Sequence, residues 1–351
     1  MEAVPGQTYD DAPRIVIWEL TRACALACRH CRAEAIPHRD PRELSTAEAR
    51  ALIDAVAECG RPLFVLTGGD PLMRDDLYEI VEYGVSAGLR LAVSPSATGR
   101  LTRRALERLA AAGCSRISLS IDAPDAQSHD AFRGVKGSFG RTLDGLRHAR
   151  EFGIEVQINT TISRFNHTRI AEMAEFLTPL QIALWSVFFL VPVGRGQATE
   201  CLDAHETEAA FAALYAAMKY LPCPVKTTEA PHFRRFVAQR QAQPSPRGGG
   251  IGDGRGFVFI SHIGEVHPSG FLPYVVGNVR ESRLIDLYRD DPIMQSLRRP
   301  DGFGGKCGSC DYRYLCGGSR ARAFAYTGDL LAQEPSCLYQ APKTSCEVTH
   351  A

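Results

Sequence analysis

Three cysteines, Cys24, Cys28 and Cys31, stand in the stretch LTRACALACRHCRAE with the spacing C-x3-C-x2-C and no fourth cysteine close by. Thiolates are the preferred ligands of iron–sulfur clusters. Three of them hold three irons of a cubane and leave the fourth iron open, which is what a catalytic metal site needs. A ligand chelating that iron could be reductively cleaved there. Two plainer readings of the same residues are a zinc site completed by His30 and a set of unconnected thiols. Zinc motifs usually pair two C-x2-C knuckles, and this triplet does not.

A second group, Cys307, Cys310 and Cys316, has the spacing C-x2-C-x5-C, and Cys337 follows at a distance. Four thiolates without an open position describe a closed site, either zinc or a fully ligated 4Fe–4S cluster. Spacing alone does not separate the two. Cys346 is the weaker candidate for fourth ligand. Cys59, Cys114, Cys201 and Cys223 read as buried core thiols with no chemical role.

Elements that position these groups are visible as alternating apolar runs and amphipathic segments. Strands are expected at Ile15–Glu19, Leu63–Thr67, Leu89–Ser94, Arg116–Ile121, Glu155–Thr160 and Leu184–Val191. Between them lie helical patterns such as Ser45–Cys59, Asp75–Ala87, Thr102–Ala112, Ser138–Phe152 and His167–Leu177. Ser45 with Glu48 reads as a capping box, and Thr102 as an N-cap. Six β/α units in a row imply a parallel sheet covered by helices, and six are fewer than the eight of a closed barrel. The expected fold class is therefore α/β, a partial (β/α)6 TIM-like barrel with a small Cys-rich C-terminal domain. The expected organisation is a tail at 1–13, the partial barrel at 14–200, a helical connection at 201–240, a Pro/Gly-rich linker at 241–256 and the Cys-rich domain at 257–351. Function belongs at the C-terminal ends of the strands.

Four strand ends carry polar groups suited to a ligand. The second strand ends in LTGGDP, where the carbonyls of Gly68 and Gly69 and the Asp70 carboxylate could receive an ammonium group; a plain glycine turn is the alternative. The fourth gives ISLSIDAP followed by HDAFRG, with Ser120 and Arg133 as polar candidates and Asp122 as a loop-holding residue. Asn159 and Ser94 end the fifth and third strands with weaker claims. No G-x-G-x-x-G follows the first strand and no Walker A motif exists, so nicotinamide and nucleoside-triphosphate chemistry is poorly supported.

Bulk properties narrow the class further. Of 351 residues, 45% are hydrophobic and 23% charged, an ordinary globular composition. Lys+Arg and Asp+Glu are both 40, so the basic excess typical of a nucleic-acid binder is missing. The opening residues lack a secretory core, and the longest apolar run, residues 182–193, is shorter than the roughly 20 residues needed to span a bilayer. The expectation is a soluble cytoplasmic protein with no membrane partner. In such a chain twelve cysteines point to metal or catalysis rather than disulfides.

The triplet directly after the first strand resembles the signature of the radical S-adenosylmethionine (SAM) superfamily. The resemblance implies a 4Fe–4S cluster on Cys24, Cys28 and Cys31, with SAM chelating the open iron and cleaved to methionine and a 5′-deoxyadenosyl radical. His30 stands where the family often has another aromatic residue. By the same resemblance Gly68, Gly69 and Asp70 meet the methionyl amine, although Asp70 is one methylene shorter than the family's usual glutamate. Ser120 and Arg133 would touch the SAM ribose and carboxylate, with Asn159 facing the same mouth.

The second cysteine group resembles the latter half of a SPASM/twitch-type domain, which in full holds two auxiliary clusters. The places of the first cluster's ligands, near the linker, Ser269 and Arg320, hold no cysteine. The resemblance thus implies one auxiliary 4Fe–4S cluster, on Cys307, Cys310, Cys316 and Cys337. The stretches TRACALACRHCRAEA and CGGSRARAFAYTGD are most similar to the haem-pathway branch, which modifies tetrapyrrole side chains. Enzymes that mature a ribosomal peptide or peptide-derived cofactor come next. A flavodoxin- or ferredoxin-type electron donor is implied. Arg320 and Arg322 offer forks for substrate carboxylates, with a solvated basic helix face as the alternative. His262 and His267 are the reachable acid/base candidates. An iron–sulfur electron carrier would not need the GGDP, Ser120 and Arg133 set, and a zinc-stabilised binding protein would be colourless.

Overall fold

The computed structural model describes residues 8–242 and 250–341. Cys346, the start of the N-terminal tail and part of the expected linker lie outside them.

Strands β1 (Ile15–Glu19), β2 (Leu63–Thr67), β3 (Arg90–Val93), β4 (Arg116–Ser120), β5 (Glu155–Ile162) and β6 (Leu184–Phe189) run parallel to one another in sequence order. Helices α1 (Thr46–Glu58), α2 (Leu77–Ser86), α3 (Arg103–Ala111), α4 (Ala126–Arg133), α5 (Ser138–Glu151) and α6 (Ile170–Leu177) connect them. Ser45 and Glu48 form the reciprocal capping box on α1, and Thr102 caps α3 through the Ala105 amide.

The sheet continues past the six expected strands on both edges. After α7 (Ala204–Ala217), β7 (Val225–Thr228) joins β6 in parallel, and α8 (His232–Arg240) follows. Beyond residues 243–249, β8 (Phe257–Ile260) pairs in parallel with β1 and turns into β9 (Glu265–His267), which leads to β10 (Gly277–Asn278). The hairpin expected in GFVFISHIGEVHP is therefore β8–β9, and its first strand extends the barrel wall. The order β10-β9-β8-β1-β2-β3-β4-β5-β6-β7 leaves the wall open beside β7. Helices α9 (Leu284–Asp290), α10 (Pro292–Leu297), α11 (Gly305–Gly308) and α12 (Arg320–Thr327) follow among the described residues.

Period-two alternation sorts the strand residues. Val16 and Trp18, Phe64 and Leu66, and Ile117 and Leu119 point outward and are buried in the main apolar core. Ile17, Val65, Ser118 and Phe259 point inward and line one large cavity. Register aligns Ser120 with Asn159, Asn159 with Ser186, and Ser186 with Lys226. All four line the cavity, so a polar row crosses four adjacent strands at one level.

Candidate functional site

Residues 20–36, after β1, form the loop that carries the first three cysteines. The turn after β2 fixes it: Gly69 N donates to Thr21 O and Asp70 N to Ala23 O, each at 2.7 Å. The approach is so close that a Cβ on Gly68 would sit 2.3 Å from Thr21 O, and one on Gly69 2.4 Å from Ala23 O. The glycine pair thus serves a backbone–backbone contact as well as the cavity wall.

Cys24, Cys28 and Cys31 all line the cavity and are free thiols. Each sulfur has a donor at hand: Leu26 N at 3.3 Å from Cys24 Sγ, Arg133 Nη1 at 3.8 Å from Cys28 Sγ, and Ala35 N at 3.5 Å from Cys31 Sγ. Burial pushes the Cys24 and Cys28 thiols up, so holding them as thiolates calls for positive charge, which a metal centre supplies. Among the described residues no three His, Cys, Asp or Glu side chains close in on a single-ion point. Three grouped thiolates fit a cluster, which offers each sulfur its own iron. His30 lines the same wall and stacks on Phe132 with centroids 4.2 Å apart. Burial, then Arg133, lower its pKa to about 3, so the ring is a neutral aromatic surface.

The strand-end candidates separate into two kinds. Gly68, Gly69, Ser94, Ser120, Asn159 and Arg133 line the cavity. Asp70 does not. It is fully buried, and its carboxylate accepts from Leu72 N and Ser96 N, each at 3.2 Å, and from Thr98 Oγ1 at 2.8 Å. The side-chain contact to an ammonium expected of Asp70 is therefore replaced by a positioning one. It sets Ser96, whose hydroxyl donates to Gly69 O at 2.7 Å and lies 3.6 Å from Cys24 Sγ. Arg133 is held by Asp122 at 2.6 Å, and Asp122 Oδ1 accepts from Thr161 N at 2.8 Å. Burial works against the Asp122 carboxylate, but Arg133 together with smaller contributions that include the Thr161 amide outweighs it and keeps the pKa low.

Cys307, Cys310, Cys316 and Cys337 come together around a second, small void of about 20 Å³. Glu334 N lies 3.2 Å from Cys307 Sγ, Tyr312 N 3.4 Å from Cys310 Sγ and Gly318 N 3.3 Å from Cys316 Sγ. Arg235 Nη2 is 3.9 Å from Cys337 Sγ. A donor on every sulfur fits four thiolate ligands. Cys316 also lines the large cavity, which thus reaches from one thiol group to the other.

Arg320 and Arg322 do not offer free forks. Arg322 is buried, paired with Glu334 at 3.2 Å and bonded to the Phe189 and Leu190 carbonyls. Arg320 donates to the Leu330 and Ala332 carbonyls and lies 3.8 Å from Cys307 Sγ. Burial required both guanidiniums to be satisfied internally, which a helix-face reading cannot show. His262 sits between Glu19 and Asp40, and neither it nor His267 lines the cavity.

Several residues in and beside the cavity escaped the sequence reading. Gly194 and Arg195, after β6, clamp the cysteine loop: Arg195 Nε donates to Cys28 O at 2.9 Å. Glu229 and Asp253 form a buried carboxyl pair; burial, then Asp253, hold the Glu229 carboxyl protonated well above the usual range, and Ser319 Oγ donates to it. Lys226, Arg234 and Arg255 line the same space. The glycine in VPVGRG, directly after an apolar strand, was the available signal for the clamp. VKTT is too short and polar to announce a strand.

The Radical SAM superfamily profile matches residues 18–177. The chain is 40% identical to the AdoMet-dependent heme synthase of Oleidesulfovibrio alaskensis, over 97% of this chain and 91% of that protein. It is 31% identical to the pre-heme d1 synthase of Dinoroseobacter shibae, over 94% of this chain and 87% of that protein. The crystal structure of Streptococcus suis SuiB bound to S-adenosylmethionine shares the fold, with a TM-score of 0.73 and 17% identity over 94% of this chain and 78% of that one.

Proposed function

Because this chain belongs to the radical SAM superfamily, an enzyme family built on a 4Fe–4S cluster and SAM, we propose that it modifies a carboxylated side chain of a tetrapyrrole. The observation that carries the reading is the continuity of one cavity, about 410 Å³, from the Cys24/Cys28/Cys31 loop to Cys316. Such a volume lies within the usual range for a ligand site, about 300–1,000 Å³. Substrate lying in it would face hydrogen abstraction at one end and an electron acceptor or donor at the other. The 40% identity to a heme synthase supports the substrate class.

Cys24, Cys28 and Cys31 are the proposed ligands of the SAM-binding cluster, and Cys307, Cys310, Cys316 and Cys337 those of one auxiliary 4Fe–4S cluster. When bound, the first cluster and SAM supply a 5′-deoxyadenosyl radical. The chain's own residues position and protect. Gly68, Gly69, Ser120, Asn159 and Arg133 present backbone and polar groups to SAM, and Asp70 holds Ser96 and the turn behind them. Arg195 and Gly194 pin the cysteine loop from the opposite side. Inward apolar residues such as Ile17, Val65 and Phe259 keep water away from the reacting groups. The electron donor is proposed to be of flavodoxin or ferredoxin type. The proposed location is the cytoplasm, with no nucleic-acid or membrane partner; no helix among the described residues is long and apolar enough to cross a membrane.

The test is anaerobic reconstitution followed by iron counting and measurement of 5′-deoxyadenosine under dithionite and SAM. An iron porphyrin with carboxylate side chains and a short peptide serve as alternative substrates. The reading expects about eight irons per chain and porphyrin mass loss coupled to 5′-deoxyadenosine. Coupling to the peptide alone would transfer the chain to peptide maturation. No iron and no cleavage would overturn the reading.

A further inference from the structure

Most cations in the large cavity are already answered. Arg32 pairs with Glu19, Arg116 with Glu155 and Arg133 with Asp122. Arg195 and Arg320 lie against the two thiol groups. Lys226, Arg234 and Arg255 differ: none has an ion pair with a carboxylate among the described residues.

Lys226 projects from β7 in the polar row with Ser120, Asn159 and Ser186. Three strand spacings of roughly 4.8 Å separate it from Ser120 by about 14 Å. Lys226 is exposed, on the edge strand beside the opening of the wall, and it lines the cavity. Arg234, on α8, donates to Ile251 O at 2.7 Å and Leu315 O at 3.5 Å. Arg255 donates to Tyr314 O at 3.0 Å and lies over the Tyr9 ring. Cys316 and Tyr9 act favourably on Arg234, and nothing comparable acts on Lys226. Arg234 acts unfavourably on Lys226, and Arg255 on Arg234. Asp10, the carboxylate that reaches Arg255, is bonded to Arg298 at 2.9 Å. Glu229 and Asp253 line the same cavity, and they accept from Ser319 Oγ and the Ala321 amide respectively. Gathering three positive charges along one cavity wall is unfavourable unless an anion completes the set.

We propose that Lys226, Arg234 and Arg255 form the seat for substrate carboxylates, on the β7/α8 side of the cavity. This assignment deepens the tetrapyrrole reading and rests on it. Guanidinium and ammonium donors give charge-assisted bonds to carboxylates. The seat would hold one edge of a polycarboxylate and leave another side chain toward the polar row and the cysteine loop.

The test uses the cluster-loaded protein and two probes, an iron porphyrin with carboxylate side chains and its methyl ester, followed by the Soret band. Lys226→Met and Arg255→Gln should each weaken the acid form about 10- to 100-fold and leave the ester unchanged. Lys226→Arg should retain tight binding. Iron content and melting temperature check that the variants fold. Acid-form affinity equal to the parent's in both neutral variants would overturn the seat while leaving the tetrapyrrole reading intact. Equal losses for acid and ester would make the residues merely structural and also overturn the seat. An unaltered protein that binds neither probe would overturn the tetrapyrrole reading itself.

Discussion

The backbone N–H of Arg195 donates to the carbonyl of Cys31 at 3.0 Å, joining the loop after β6 to the cysteine loop after β1. Two loops far apart in sequence thus share one fixed geometry at the mouth of the barrel. Positioning of this kind is what a radical reaction requires of the protein.

Gly194 makes that junction possible. With φ of 58°, a Cβ there would lie 2.4 Å from Arg32 O and 2.5 Å from Cys31 O. Gly194→Ala should cost about 1–3 kcal/mol and loosen the cysteine loop. Lower iron retention and a lower melting temperature are expected, and unchanged values of both would contradict the clamp.

Asp70 acts through its neighbours. Asp70→Ala would leave the Ser96 and Leu72 amides and the Thr98 hydroxyl without their acceptor. A rise of about tenfold in KM for SAM is expected from a loss of about 1–3 kcal/mol, with a smaller effect on kcat. A variant whose kcat falls while KM stays constant would show that Asp70 enters the reaction itself.

The Asp122–Arg133 pair is enclosed, with the Asp122 side chain fully buried. Asp122→Asn leaves the guanidinium without its counter-charge, and the cost should be about 3–5 kcal/mol. Thermal or denaturant unfolding measures it. A loss below about 1 kcal/mol would mean the pair behaves like an exposed one.

The two thiol groups should separate by mutation. Cys24, Cys28 and Cys31 all changed to Ala should leave about four irons and abolish 5′-deoxyadenosine formation. Cys307 and Cys310 changed to Ala should remove about four irons, spare SAM cleavage and stop product formation. An iron count unaffected by the second change would rule out the auxiliary cluster.

The parallel sheet was legible because both faces of its strands supply apolar residues in unbroken runs, as in IVIWE and LFVLT, flanked by helices with readable caps at Ser45 and Thr102. The two cysteine groups were legible because short spacing forces neighbours together. β7 was not, since Lys226 and the threonines of VKTT face the cavity and its mouth rather than a core. The partners of Arg320 and Arg322 were hidden for a related reason. Glu334 and the carbonyls that satisfy these arginines come from segments whose approach only the fold determines. The same holds for Asp70, where the motif marks the turn but leaves open which way the carboxylate faces.

The most direct measurement follows hydrogen rather than iron. Reduced holoenzyme is given SAM and an iron porphyrin deuterated on its carboxylate-bearing side chains, and the 5′-deoxyadenosine formed is weighed by mass spectrometry. One deuterium per molecule, appearing in step with porphyrin modification, is the predicted result. Sustained SAM cleavage with no deuterium in the product would contradict side-chain hydrogen abstraction from a tetrapyrrole.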